Sequence, residues 1–315
     1  MIQNSMKADG AYEIFPGFVL APTGGKVIYV HSSGAAALDQ LPQGMPGNPD
    51  GFFQSVQAAL NTCRLGRGDR IVCLQGHVES ISTANFMAAI GTTPTCSDVE
   101  ITGVGNGSNR PTFTWTTATS SLLINTPNIK FRNMRFFLAG AHAAGSALTV
   151  AAPITITADG VEITDCEIAY GFQANRIVGI GITTTAAATR FAFDRNDVYA
   201  ETLAVPTTTF LRLTGTDFFR MDSTRIVGPG STTAIGPVQQ LTTAMLKANI
   251  KNSIIQNTLA ASTISFTAIA GSTGSVDKCA FGVLAAGNGI TAASGLQVTA
   301  SYVAVAGAAG TLATG

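Results

Sequence analysis

The chain has 315 residues, of which 46% are hydrophobic and only 11% charged, about half the usual charged share. Eighteen basic residues balance eighteen acidic ones, so no basic face for nucleic acid is signalled. The hydrophobic content argues against disorder, and no run approaches the ~18–20 apolar residues of a membrane span. A surface this poor in charge suits a protein whose flanks are covered by partners.

Residues 1–25 read as an anchoring arm. Tyr12, Ile14, Phe15, Phe18, Val19 and Leu20 are interrupted by Pro16, Gly17, Pro22, Gly24 and Gly25. This is too apolar for a solvated tail and too broken for a domain. The first residues, 1–7, carry no basic-then-apolar signal segment, so synthesis in a reducing cytoplasm is expected. Residues 26–98 then form a capping region. It opens with a strand at 26–30 and a Gly/Pro-rich loop at 32–49. A helix is predicted over 52–64, because Phe52, Phe53, Val56, Ala59, Leu60 and Cys63 share one face at helical spacing. Asn48 or Asp50 would cap its start and Gly66 would end it. Its task is to cover the exposed end of whatever repeats follow.

A strand follows the helix, carrying Gly68, Asp69, Ile71, Val72, Leu74 and Gly76. Strand, loop, capping helix and this glycine–aspartate strand together resemble the entry to the pectate-lyase-like right-handed β-helix superfamily. The resemblance covers residues 26–305. It implies an all-β right-handed parallel β-helix and is nearly silent on function.

From residue 99 to 315 the chain is repetitive. A phrase of the form apolar–x–apolar–polar–polar–x–x–apolar begins at Ile129, Val161, Phe191 and Phe219, and in weaker copies at Val99, Ala248, Gly274 and Leu296. Its steps are 30, 32, 30, 28, 29, 26 and 22 residues. Alternation within the phrase means strand, and a repeat of roughly 20–50 residues means a solenoid or array. Each coil carries a further apolar strand before the phrase, as at Leu122 to Ile124 and at Phe210, Leu211 and Leu213. The last coils fade at 306–310 without a helix, so a partner chain is expected to cap that end.

Candidate chemistry lies in the residue after each apolar–x–apolar. These residues form a column: Thr102, Arg132, Thr164, Asp194, Asp222, Lys251, Asp277 and Thr299. Neighbouring coils stand ~4.8 Å apart, so Asp194 and Asp222 could make a carboxylate pair at the ~5–5.5 Å of a retaining glycosidase. Lys251 beside them adds the base of an acid-plus-base lyase site. The competing reading is a solvated turn column whose mixed signs cancel, with no long loops or aromatic platform to form a cleft. His31 and His77 follow N-terminal strands and read as surface or turn histidines. The run Gly103, Val104, Gly105, Asn106, Gly107 follows a strand but opens no helix, so it reads as a turn and not a phosphate loop. The five cysteines form no metal or disulfide pattern. Cys166 and Cys279 share an inward-leaning position with Met134, Asn196, Thr224, Ser253 and Ser301, a structural column.

Irregular Thr/Ala/Gly-rich coils behind an anchoring arm resemble bacteriophage virion β-helix proteins. That resemblance implies a capsid decoration (cement) protein or short spike. Such a protein would be non-catalytic, free of cofactor and metal, homotrimeric, and seated on a major capsid protein or another virion protein at the capsid surface. A tailspike-type polysaccharide hydrolase or lyase using Asp194, Asp222 and Lys251 is the first alternative. A non-catalytic host-glycan adhesin is the second.

Overall fold

The computed structural model of the chain describes residues 5–6, 12–15, 18–19, 25–34, 51–87, 96–138, 148–170, 176–200, 209–229, 235–285, 289–291, 295–305 and 311–312. The fold is a right-handed parallel β-helix. Three long sheets of eleven, ten and seven strands form its walls.

The first sheet is built from the repeated phrase, and the phrase stacks in register. Phe131 pairs with Ile101 on one side and Ile163 on the other, Ile163 with Phe193, Met221 with Ile250, and Ile250 with Val276. All seven side chains are fully buried. They form one apolar column inside the coil, and the residues that alternate with them point outward, because a strand's side chains change face at every step. The closing apolar residue of each phrase stacks in the second sheet, as Phe136 on Ile168, Ile168 on Val198 and Val198 on Ile226. The third sheet contains the additional strands, including Leu122–Ile124, Ile154–Ile156, Thr209–Leu213 and Val238–Gln240. Leu148–Val150 is set apart, pairing with Arg176–Val178 in a two-stranded sheet of its own.

The corner between the first and second sheets explains the polar half of the phrase. Asn133, Asp165, Arg195, Ser223, Asn252 and Lys278 all take left-handed backbone, with φ between 50° and 57°. That conformation costs a non-glycine residue about 1–2 kcal/mol. Each such residue aims its backbone N–H at a carbonyl of the next coil, as Asp165 does to Asp194 (3.1 Å) and Arg195 to Asp222 (2.8 Å). The next residue then turns inward. The Asn196 amide oxygen accepts the Cys166 N–H (2.9 Å), and the Ser301 hydroxyl accepts that of Cys279 (3.0 Å). The Thr224 hydroxyl accepts the Asn196 N–H (3.3 Å), and the Ser253 hydroxyl accepts that of Thr224 (3.2 Å). The inward column is therefore a hydrogen-bonded ladder that satisfies buried donors coil by coil.

The capping region differs from its sequence reading. The helix is one short segment, Val56–Leu60, and Phe52–Phe53 is a strand paired with Tyr29 and Val30. The helical spacing of Phe52 and Phe53 was overridden because the edge of Val27–Val30 offers them backbone partners. Ser55 caps the helix by accepting the Ala58 N–H (3.2 Å). Asn61 ends it, well before Gly66. Asn48 and Asp50 lie outside the described residues.

In the arm, Ser5–Met6, Tyr12–Phe15 and Phe18–Val19 pair antiparallel in a three-stranded sheet that shares no ladder with the described strands of the coil. Leu20 lies outside the described residues. At the other end Thr311–Leu312 lies antiparallel on Tyr302–Val305, so the chain itself covers the last strand of the second sheet. In the first sheet Gln297–Thr299 has no further neighbour among the described strands.

Candidate functional site

The register brings the outward column together as its spacing predicts. Arg132 pairs with Thr102 and Thr164, Thr164 with Asp194, Asp222 with Lys251, Lys251 with Asp277, and Asp277 with Thr299. The surroundings of the three candidate catalytic residues are not those of a free acid–base set.

Asp194 is only 4% exposed, which corrects the reading of this column as uniformly solvated. The next coil lays Arg220 over it. The guanidinium Nε and Nη2 both reach Oδ2, at 2.8 and 2.7 Å, and the Asp222 N–H donates to Oδ1 at 3.0 Å. Both carboxylate oxygens are thus engaged. Asp222 accepts the Ser223 hydroxyl (2.9 Å) and the Asn252 amide (3.0 Å) on Oδ1, while the Lys251 ammonium stands 3.3 Å from Oδ2. Partial burial opposes ionisation of Asp222, but these bonds outweigh it and hold its carboxyl below the usual range. A general acid needs the opposite shift. The column supplies ion-pair and hydrogen-bond crosslinks between coils. Arg195 on Asp165 (2.7 Å) and Arg225 on Asp197 (2.8 Å) repeat the pattern elsewhere.

A shallow depression of about 500 Å³ lies further along the first sheet, lined among others by Lys247, Asn249, Ser275 and Gln297. It includes none of Asp194, Asp222 or Lys251, so the concavity and the candidate acids do not coincide. Among the described residues no three His, Cys, Asp or Glu side chains converge as metal ligands.

Two polar clusters sit at the entry to the coil. Asp69 is 1% exposed. It accepts the Lys26 N–H (2.8 Å) and Arg67 Nε (2.6 Å) on Oδ1, and the Arg64 N–H (3.0 Å) and Arg67 Nη2 (2.7 Å) on Oδ2. It ties the chain leaving the helix to the first strand of the coil. Burial opposes its ionisation, yet these bonds hold its carboxyl below the usual range. Its glycine–aspartate motif was visible in the sequence, but its partners were not. The second cluster overturns the histidine reading. His31 and His77 are buried, with ring centroids 6.3 Å apart. His77 Nε2 meets Glu79 Oε2 at 3.1 Å, and the same oxygen accepts the Val56 N–H at the start of the helix (2.8 Å). The two-residue spacing of His77 and Glu79, where the strand Val78–Ile81 begins, was the available signal.

The remaining motifs are structural. The Asn133 amide donates to the carbonyls of Gly103 and Gly105, both at 2.9 Å, pinning the glycine-rich turn. A three-residue 3-10 turn, Gly107–Asn109, follows it. All five cysteines are free and buried. Burial pushes the Cys166 thiol up to about 12 and the Cys279 thiol up to about 11.

No family model matches the chain, and no curated protein matches it. Two solved structures are similar in fold. One is the A-module of the Azotobacter vinelandii mannuronan C-5 epimerase AlgE6, at 10% identity and a TM-score of 0.28, covering 79% of this chain and 94% of that one. The other is the alginate lyase from Paenibacillus sp. str. FPU-7, at 12% identity and a TM-score of 0.36, covering 88% of this chain and 99% of that one.

Proposed function

We propose that this chain is a non-catalytic structural β-helix that docks on a larger assembly. The observation that carries this reading is the engagement of Asp194, Asp222 and Lys251. Their charges are spent on Arg220, on each other and on the corner hydrogen bonds. In its most specific form the role is that of a virion decoration or short-spike protein, assembled as a homotrimer through its weakly charged flanks. A closed trimer of identical chains is compatible with head-to-tail contacts between those flanks. The arm of residues 1–25 is the proposed anchor to the shell.

The second reading is a polysaccharide hydrolase or lyase. One observation favours it: the strands of Asp194 and Asp222 are adjacent, with Ala192 paired to Arg220, and Asp222 pairs with Lys251, so two carboxylates and a lysine lie on consecutive coils. The deciding experiment incubates the purified chain with alginate, polygalacturonate and bacterial surface polysaccharides. New reducing ends and unsaturated uronates are then measured. The structural reading expects neither. Products that vanish in Asp194→Asn or Asp222→Asn would establish the enzyme instead.

A further inference from the structure

Every arginine and lysine within the described strands of the first and second sheets meets a carboxylate of a neighbouring coil, from Arg70 on Glu100 to Lys251 on Asp222. Arg212, in the third-sheet strand Thr209–Leu213, does not. It is half-buried on the outward face, in register with Thr183 on one side and Gln239 on the other. Its one hydrogen bond is a long one, from Nε to the Thr183 hydroxyl at 3.4 Å. Neither terminal guanidinium nitrogen finds an acceptor among the described residues. Burial lowers the pKa of Arg212, with no described acid to offset that cost.

A half-buried guanidinium with an unused fork matches a planar carboxylate, which it can bind through two parallel hydrogen bonds. Its neighbours extend the match. Thr155, Thr183, Gln239 and Thr267 continue the same outward column, each half-buried. They offer hydroxyl and amide groups at the ~4.8 Å strand spacing. Among the described residues the column bears no aromatic ring, so it lacks a stacking platform for a sugar. Half-buried arginine on a polar face is typical of protein interfaces, where arginine is enriched among the residues that dominate binding.

We propose that the outward face of the third sheet is a docking surface for an acidic protein segment, with Arg212 as its anchor. The proposal rests on the reading of the chain as a docking scaffold and names the face that docks. The carboxylate of the partner lies against the guanidinium fork, and the Thr/Gln column hydrogen-bonds the flanking backbone.

The test uses the full chain and a fluorescent hexaglutamate peptide, with affinity read by anisotropy at moderate salt. Truncating one partner of such a charge pair weakens binding by roughly 30-fold or more. Arg212→Gln is therefore expected to lose at least that factor, and Arg212→Lys an intermediate one, with unchanged thermal melting. Lys278→Gln, which removes an exposed cation elsewhere, should bind as the parent does. Equal losses in Arg212→Gln and Lys278→Gln would mean non-specific charge attraction and overturn the proposal, as would no loss in Arg212→Gln. An oligogalacturonate that binds more tightly than the peptide and depends on Arg212 would assign the face to acidic saccharide instead. The polysaccharide-cleavage assay involves no acidic peptide, so either idea can fail alone.

Discussion

Asp69→Ala tests the entry to the coil. The substitution removes four hydrogen bonds and leaves the Lys26 and Arg64 N–H groups without their acceptor. An orphaned buried donor costs about 1–3 kcal/mol, and breaking a buried ion pair about 3–5 kcal/mol. Arg67 keeps 19% of its side chain exposed and can rehydrate, which places the total near the lower figures, at about 5 kcal/mol. Asp69→Asn keeps the shape and one acceptor oxygen and should cost about half of that. Urea titration measures the loss. Hydrogen exchange at the Lys26 and Arg64 amides locates it in the capping region. Acid adds a second readout. The folded carboxyl lies below its usual value of 3.8, so its contribution is complete above the unfolded pKa of about 4. It is lost as pH falls through the folded value, and Asp69→Ala should flatten that acid limb. A cost below about 1 kcal/mol, or unchanged exchange at both amides, would refute the argument that these bonds secure the entry.

Three further outcomes are expected. Asn196→Ala removes the acceptor of the Cys166 N–H and the bond to the Ile163 carbonyl; it should cost about 3 kcal/mol in urea, and a loss within a few tenths would disprove the ladder's role. Asp194→Ala and Asp222→Ala should diverge although their columns are the same. The buried Asp194 should cost about 2 kcal/mol, because a charge-assisted acceptor and an ion pair both go. The more exposed Asp222 should cost under 1 kcal/mol, and equal melting curves for the two variants would contradict this. Thiol alkylation at pH 8 should leave the native cysteines unmodified, since burial raises the pKa of all five and only the thiolate reacts. Denaturant should expose all five, and rapid labelling of Cys166 or Cys279 in the folded chain would count against the packed corner.

The phase of the repeat belongs to the sequence. Each apolar–x–apolar pair names its own inward residue, so Phe131, Ile163, Phe193 and Met221 were identifiable as one stack before any register was known. The inward polar column was legible for the same reason, because Asn196, Thr224 and Ser253 recur at one offset from a fixed corner. What the sequence does not contain is the lateral contact between coils. Asp194 and Asp222 occupy equivalent positions, and only the placement of Arg220 over the first buries one and leaves the other more open. The helix read over 52–64 failed likewise. Its periodicity was real, but the free edge of Val27–Val30 captured Phe52–Phe53 as a strand. The linking of His77 and Glu79 to the helix N-terminus, and the guanidinium of Arg212, whose fork finds no acceptor among the described residues, are also tertiary. Periodicity fixes which side of a strand a residue faces, because the backbone alternates. Which charge finds a partner depends on side chains some thirty residues apart meeting across adjacent coils, and that is decided only when the coils stack.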